Sequence, residues 1–109
     1  MANSFEELFP KQLRAFMVEF DVPPLTDEIA ELIPRQRLTV GAMMSAGTLL
    51  TYTLSADRRK LWAVMLGKSS GDVEGELKKF PLTRFMQYRI NELMFHEAAI
   101  AGISRMSLN

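Results

Sequence analysis

Leu13 to Val22 alternates between two faces, with Phe16, Val18 and Phe20 on one and Ala15, Met17 and Glu19 on the other. That period of two predicts a half-buried strand, which Pro23-Pro24 then stops. Thr26-Asp27-Glu28 supplies a hydroxyl cap and two acids for the positive end of a helix. Ile29, Leu32, Ile33, Val40, Met43 and Met44 keep helical spacing as far as Gly47, a suitable C-terminal stop. Pro34 lacks an amide donor and is expected to kink or split this helix. Thr48 to Ser55 reads as a second strand, Ala56-Asp57-Arg58-Arg59 as a polar turn, and Leu61 to Leu66 as a third strand in a hairpin with the second. Ser69-Ser70-Gly71-Asp72 opens a second helix with Val73, Leu77 and Phe80 on its apolar face. Pro81 ends that helix, and Arg84 to Phe95 is expected to form the last strand.

The order is β-α-β-β-α-β, the ferredoxin-like split motif of the α+β class. The helices cover one face of such a sheet. The other face also carries apolar residues from the first and third strands, so a second copy of the chain is the simplest cover.

At 109 residues the chain makes a single domain over 1–109, with a core of about 13–96 and terminal arms. Phe5 to Phe9 and Ala98 to Leu108 are apolar enough to pack across subunits. Thirteen basic residues cancel thirteen acidic ones, and no basic run exceeds Arg58-Arg59-Lys60, which argues against a nucleic-acid groove. With no Cys and one His, neither a disulfide framework nor a Cys or multi-His metal site can form; a metal held by carboxylates stays open, although no acids are spaced for one. Met1 to Gln12 does not read as a signal peptide, and no segment is apolar for long enough to span a bilayer. The chain is therefore expected in the cytoplasm. Eight Met and 48% hydrophobic residues again favour a homodimer or larger homo-oligomer.

The closing stretch is the most specific part of the chain. Pro81-Leu82, Met86, Leu93, His96 and Ile100, with Phe80 and Phe85 as near replacements, resemble the end of the muconolactone isomerase family. Gly47-Thr48 is similar to that family's turn into its second strand. The resemblance covers roughly Leu13 to Ile100 and implies a dimeric α+β barrel. It also implies a reaction free of cofactor and metal, in which a proton moves between two carbons of an unsaturated lactone during aromatic-ring degradation. The chain departs from the family where Leu50, Thr51, Tyr52, Thr53 and Leu54 replace basic and indole side chains, at Asp57 in the following turn, and at Phe95-His96-Glu97. Those replacements weaken the hold on an anionic lactone.

Such a reaction needs one positioned acid/base and donors for the dienolate. Glu19, Tyr88, Glu92 and His96 are the candidate catalytic residues. The last three share one parity of the final strand with Met86, Ile90 and Met94. Glu19, between Val18 and Phe20, is either a cavity-lining carboxylate or one that has found a buried partner. Glu92 is equally suited to pairing with Arg89, and His96 to capping a strand end or touching another subunit. Tyr52, Trp62 and Arg84 are candidate substrate-binding residues. For the two aromatics the simpler role is core or interface, and for Arg84 a solvated strand start. Met43-Met44 reads as core filling and Arg35-Gln36-Arg37 as a solvated helix face.

Three functional classes stay open. The chain is a cofactor-independent isomerase acting on a small lactone, a non-catalytic binder of a small apolar ligand, or a cofactor-free oxygenase of the wider dimeric-barrel group.

Overall fold

The computed structural model describes residues 13–97. Strand β1 (Arg14–Asp21) leads to helix α1 (Asp27–Ala46), the hairpin β2 (Leu49–Leu54) and β3 (Lys60–Gly67), helix α2 (Ser70–Leu77), a 3-10 turn at Thr83–Phe85, and β4 (Gln87–Glu92). The four strands form one antiparallel sheet in the order β2-β3-β1-β4, compatible with a ferredoxin-like fold. No helix among the described residues is long and apolar enough to cross a membrane. The terminal arms, with Ile100, lie outside the described residues.

The alternation of β1 translates directly into packing. Phe16, Val18 and Phe20 are all but fully buried beneath the helices, joined by Leu61, Ala63 and Met65 of β3 and by Leu49 of β2. From above, α2 and the residues after it contribute Val73, Leu77 and Phe80, as their spacing predicts. Helix α2 comes very close to β3. A Cβ on Gly67 would stand 2.9 Å from Val73 Cγ2, so glycine is what allows this approach.

Helix α1 begins as expected, with Thr26 Oγ1 accepting from the Ile29 amide at 3.2 Å. It ends on Gly47 at φ 80°, in the left-handed region glycine tolerates. Pro34 does not split it. The helix runs unbroken through Pro34, and the turn around Ala30 and Pro34 is exposed, so water can serve the carbonyl that proline leaves unpaired.

Two boundaries differ from expectation. The last strand is shorter at both ends. Thr83 is buried and donates its hydroxyl to the Leu77 carbonyl at 2.7 Å, drawing Thr83–Phe85 into a 3-10 turn ahead of the strand. At the far end Leu93 bonds back to Ala15, near the start of β1; beyond it Met94 and Phe95 are exposed. In β2 a bulge at Leu50 shifts the register between Leu49 and Thr51. Leu49, Tyr52 and Leu54 consequently share the helix side, opposite Met65, Ala63 and Leu61.

Three glycine replacements should separate close approach, left-handed backbone and plain helix propensity. Gly67→Ala should destabilise by about 1–3 kcal/mol through overpacking against Val73. Gly47→Ala meets no atom within 4 Å but forces alanine to φ 80°, at a loss of about 1 kcal/mol. Gly41→Ala, inside α1 with the same open surroundings, should stabilise by about 0.5–1 kcal/mol. Urea denaturation of the three variants reads all three signs.

Candidate functional site

Helix α1 buries only Gln36 and Met43 along its whole length. Ile29, Ile33 and Val40, which recur on the face turned towards the sheet, border a groove of about 1150 Å³. Val22 to Leu25 and the ends of β2 and β3 form its other walls, together with Leu82, Phe85 and Met86. Of the six periodic positions, Ile29, Ile33 and Val40 overlook this open groove where a filled core was expected, Met43 alone is buried, and Met44, expected as core filling, is exposed. Leu25 and Leu54 line the groove while being 66% and 52% exposed, which marks them as its mouth.

The polar centre of the groove is a pair from α1 and β2. Gln36 is 5% exposed, against the expectation of a solvated face. Its Nε2 donates to the Tyr52 hydroxyl at 3.0 Å, and its Oε1 accepts from the Leu82 amide at 3.0 Å. Because Tyr52 accepts from Gln36, its own proton remains available for another acceptor. Burial raises the Tyr52 pKa, and the Gln36 bond only partly opposes this. Tyr52 is thus a neutral donor lodged among apolar side chains. The clue to Gln36 in the sequence was its position three after Ile33 and four before Val40, a polar residue on the apolar stripe.

The other candidates lie elsewhere. Glu19 occupies the sheet face away from the helices, as an ion-paired strand residue that does not face the groove. Its Oε2 accepts from Arg89 Nη2 at 2.6 Å and from Lys60 Nζ at 3.1 Å, and its Oε1 from Trp62 Nε1 at 3.3 Å. Asp21 takes Lys60 at 2.5 Å and Arg89 at 3.4 Å. Two carboxylates at alternate positions of the central strand β1 are thus matched by cations from both neighbours. Arg89 and then Lys60 hold the Glu19 carboxyl below its usual range, and Lys60 and then Arg89 do the same for Asp21. Trp62 belongs to this cluster on the far face.

Tyr88 packs under the helices against Phe20 and donates to Glu74 Oε2 at 2.9 Å. Burial, followed by that carboxylate, raises its pKa. Glu92 has the parity of Tyr88 but lies at the sheet's end, paired with Arg14 at 3.1 Å. His96 follows the end of β4, so strand parity does not extend to it; its Nε2 is enclosed and has no hydrogen-bond partner among the described residues. Arg84 pairs with Glu28 at 3.7 Å and stacks its guanidinium 4.7 Å over the Phe85 ring. Of the seven candidates only Tyr52 lines the groove, while Glu19 and Trp62 meet each other on the opposite face. No group of three metal-ligating side chains occurs among the described residues.

The carboxylate ladder carries a pH signature. Both folded-state pKa values lie below their unfolded values near 4, so the ladder's stabilisation is present above about pH 5 and drains away as pH falls through the depressed values. Thermal melts between about pH 3 and pH 7 should show Tm falling on the acid side. Replacing both cations the two acids share, Lys60→Leu together with Arg89→Leu, should flatten that fall. An equally steep fall in the variant would rule the ladder out as its origin. Compared with known proteins, the chain matches no family model and no curated relative.

Proposed function

We propose that this chain binds a small, largely apolar molecule in the groove between α1 and the sheet, with the Tyr52 hydroxyl donating to an acceptor on the ligand such as a ketone or lactone carbonyl. The observation that carries this reading is the Gln36–Tyr52 pair: a buried amide orients a neutral phenol inside an apolar groove. Large apolar recesses with a few fixed polar groups are the usual form of small-molecule sites. Proton transfer on a lactone, the reaction implied by the resemblance to muconolactone isomerases, calls for a base that titrates near neutrality. The carboxylates bordering the groove, Asp21 and Asp57, are both held below the ordinary range, by Lys60 with Arg89 and by Ser55 with the Arg59 amide. Binding is therefore the reading these residues favour over proton transfer.

The proposal includes assembly through the sheet into a dimeric α+β barrel. The face away from the helices carries Ala15, Met17, Trp62 and Leu66, all half-buried, beside the carboxylate ladder. A second copy would cover these side chains and shield the ladder from water.

Two measurements test this. A neutral aromatic ketone whose emission shifts to the blue in apolar surroundings should bind the wild-type chain. Tyr52→Phe should weaken it about fivefold, the size of one hydrogen bond. Gln36→Leu should also destabilise the fold by about 1–3 kcal/mol, because it strands the buried Leu82 amide. Undiminished binding by Tyr52→Phe would remove the phenol from the site. For the assembly, light scattering of the wild type should give at least a dimer and Trp62→Glu a monomer; a stable wild-type monomer at micromolar concentration would sink the barrel.

A further inference from the structure

We infer that the groove's ligand is an amphiphile: an apolar chain ending in an anionic oxyacid head, a carboxylate or a phosphate, with the head held by Arg37, Arg58 and Arg59. This rests on the groove reading above and adds the charge of the occupant.

The charges along the groove are unequal. Arg37, Arg58, Arg59 and Lys60 border it, against Asp21 and Asp57. Lys60 and Asp21 are joined at 2.5 Å and so are already matched. Asp57 is turned into its own hairpin, where it accepts from Ser55 Oγ at 2.7 Å and from the Arg59 amide at 3.0 Å. None of the three arginines forms a salt bridge among the described residues, although the Arg59 charge attracts the Asp57 carboxylate. Planar guanidinium forks are the side chains best matched to carboxylate and phosphate oxygens.

A second observation converges on the same rim. Arg58 sits at φ 62°, the left-handed conformation that glycine adopts without strain. Strain of this kind persists where the surrounding structure enforces it, and it clusters at ligand clamps. Here the turn Ser55 to Lys60 enforces it, with the Ser55 amide bonded to the Lys60 carbonyl at 2.8 Å and the Arg58 amide to the Ser55 carbonyl at 2.9 Å. The turn thereby places two consecutive arginines beside an apolar mouth. That arrangement favours an anionic head and repels a cationic one.

Calorimetric titration of the full chain at neutral pH with octanoate, octyl phosphate, 1-octanol and octylamine tests the inference. The four probes share one chain and differ in the head. The two anions should bind about tenfold more tightly than octanol, and about 1 M salt should erase much of that difference by screening. The variant Arg37→Gln, Arg58→Gln, Arg59→Gln should bring the anions down to the affinity of octanol while leaving octanol unchanged. Whichever anion binds more tightly identifies the head as carboxylate or phosphate. Equal binding of octanol and the anions, an anion preference untouched by the triple variant, or tighter binding of octylamine would overturn the anionic head and leave the apolar groove standing. Binding of none of the four, with a dimer that Leu54→Glu converts to monomer, would mean that a second copy fills the groove, and the groove reading would fall as well. If the triple variant loses its far-UV circular dichroism, Arg37→Gln alone and the salt series make the same comparison on folded protein.

Discussion

The Gln36 side chain ties together three parts of the chain by directed hydrogen bonds. It sits at the middle of α1, reaches the Tyr52 hydroxyl on β2, and takes the Leu82 amide ahead of the last strand. A buried amide with its acceptor and one donor satisfied is stable in an apolar setting, and expensive to replace by anything that leaves its partners unpaired. An aliphatic residue at this position would leave the Tyr52 hydroxyl and the Leu82 amide without this partner. Gln36 instead holds the helix by directed bonds, and Ile29, Ile33 and Val40 are left bordering open space.

The two helices are thus attached by different physics. Helix α2 is held by close packing, with Val73 over Gly67 and Leu77 fully buried. Helix α1 contributes only Met43 to the buried core and relies on Gln36 for its other buried anchor. This division places a closely packed half of the domain beside a half built around a recess. The recess and the Tyr52 donor are both already formed in the folded chain.

The opposite side of the sheet, as far as the groove's edge at Asp21 and Lys60, follows electrostatic rules. Glu19 and Asp21 would each be poorly placed alone on a half-buried surface. Lys60 from β3 and Arg89 from β4 flank them and convert the pair into a ladder. With side chains 33–52% exposed, each bond contributes little singly. Their shared cations make the ladder act as one unit, and they explain why an acid that looks conspicuous in β1 is paired on the far side of the sheet from the groove.

The element order was legible in the sequence because local periodicities carried it. Phe16, Val18 and Phe20 announced the buried face of β1; Thr26, Ser69 and Gly47 marked helix ends; Val73, Leu77 and Phe80 marked the packed side of the second helical segment. These signals depend on dihedral preferences and on burial of one face, both written within a few residues. The site was decided by contacts remote in sequence. The bulge at Leu50 turned Tyr52 to the helix side, the Thr83 hydroxyl bond shortened the last strand, and Gln36 found partners 16 and 46 residues away. Apart from the polar interruption of an apolar stripe at Gln36, none of these has a local signature, since each depends on which strand or carbonyl the fold brings alongside. Glu19 and Trp62 likewise stood out by residue type, but the pairing of β1 with β3 and β4 determined that they meet each other across the sheet from the groove. The chain's own pattern set which elements form and which faces are apolar; tertiary packing alone set which apolar face was filled and which was left open.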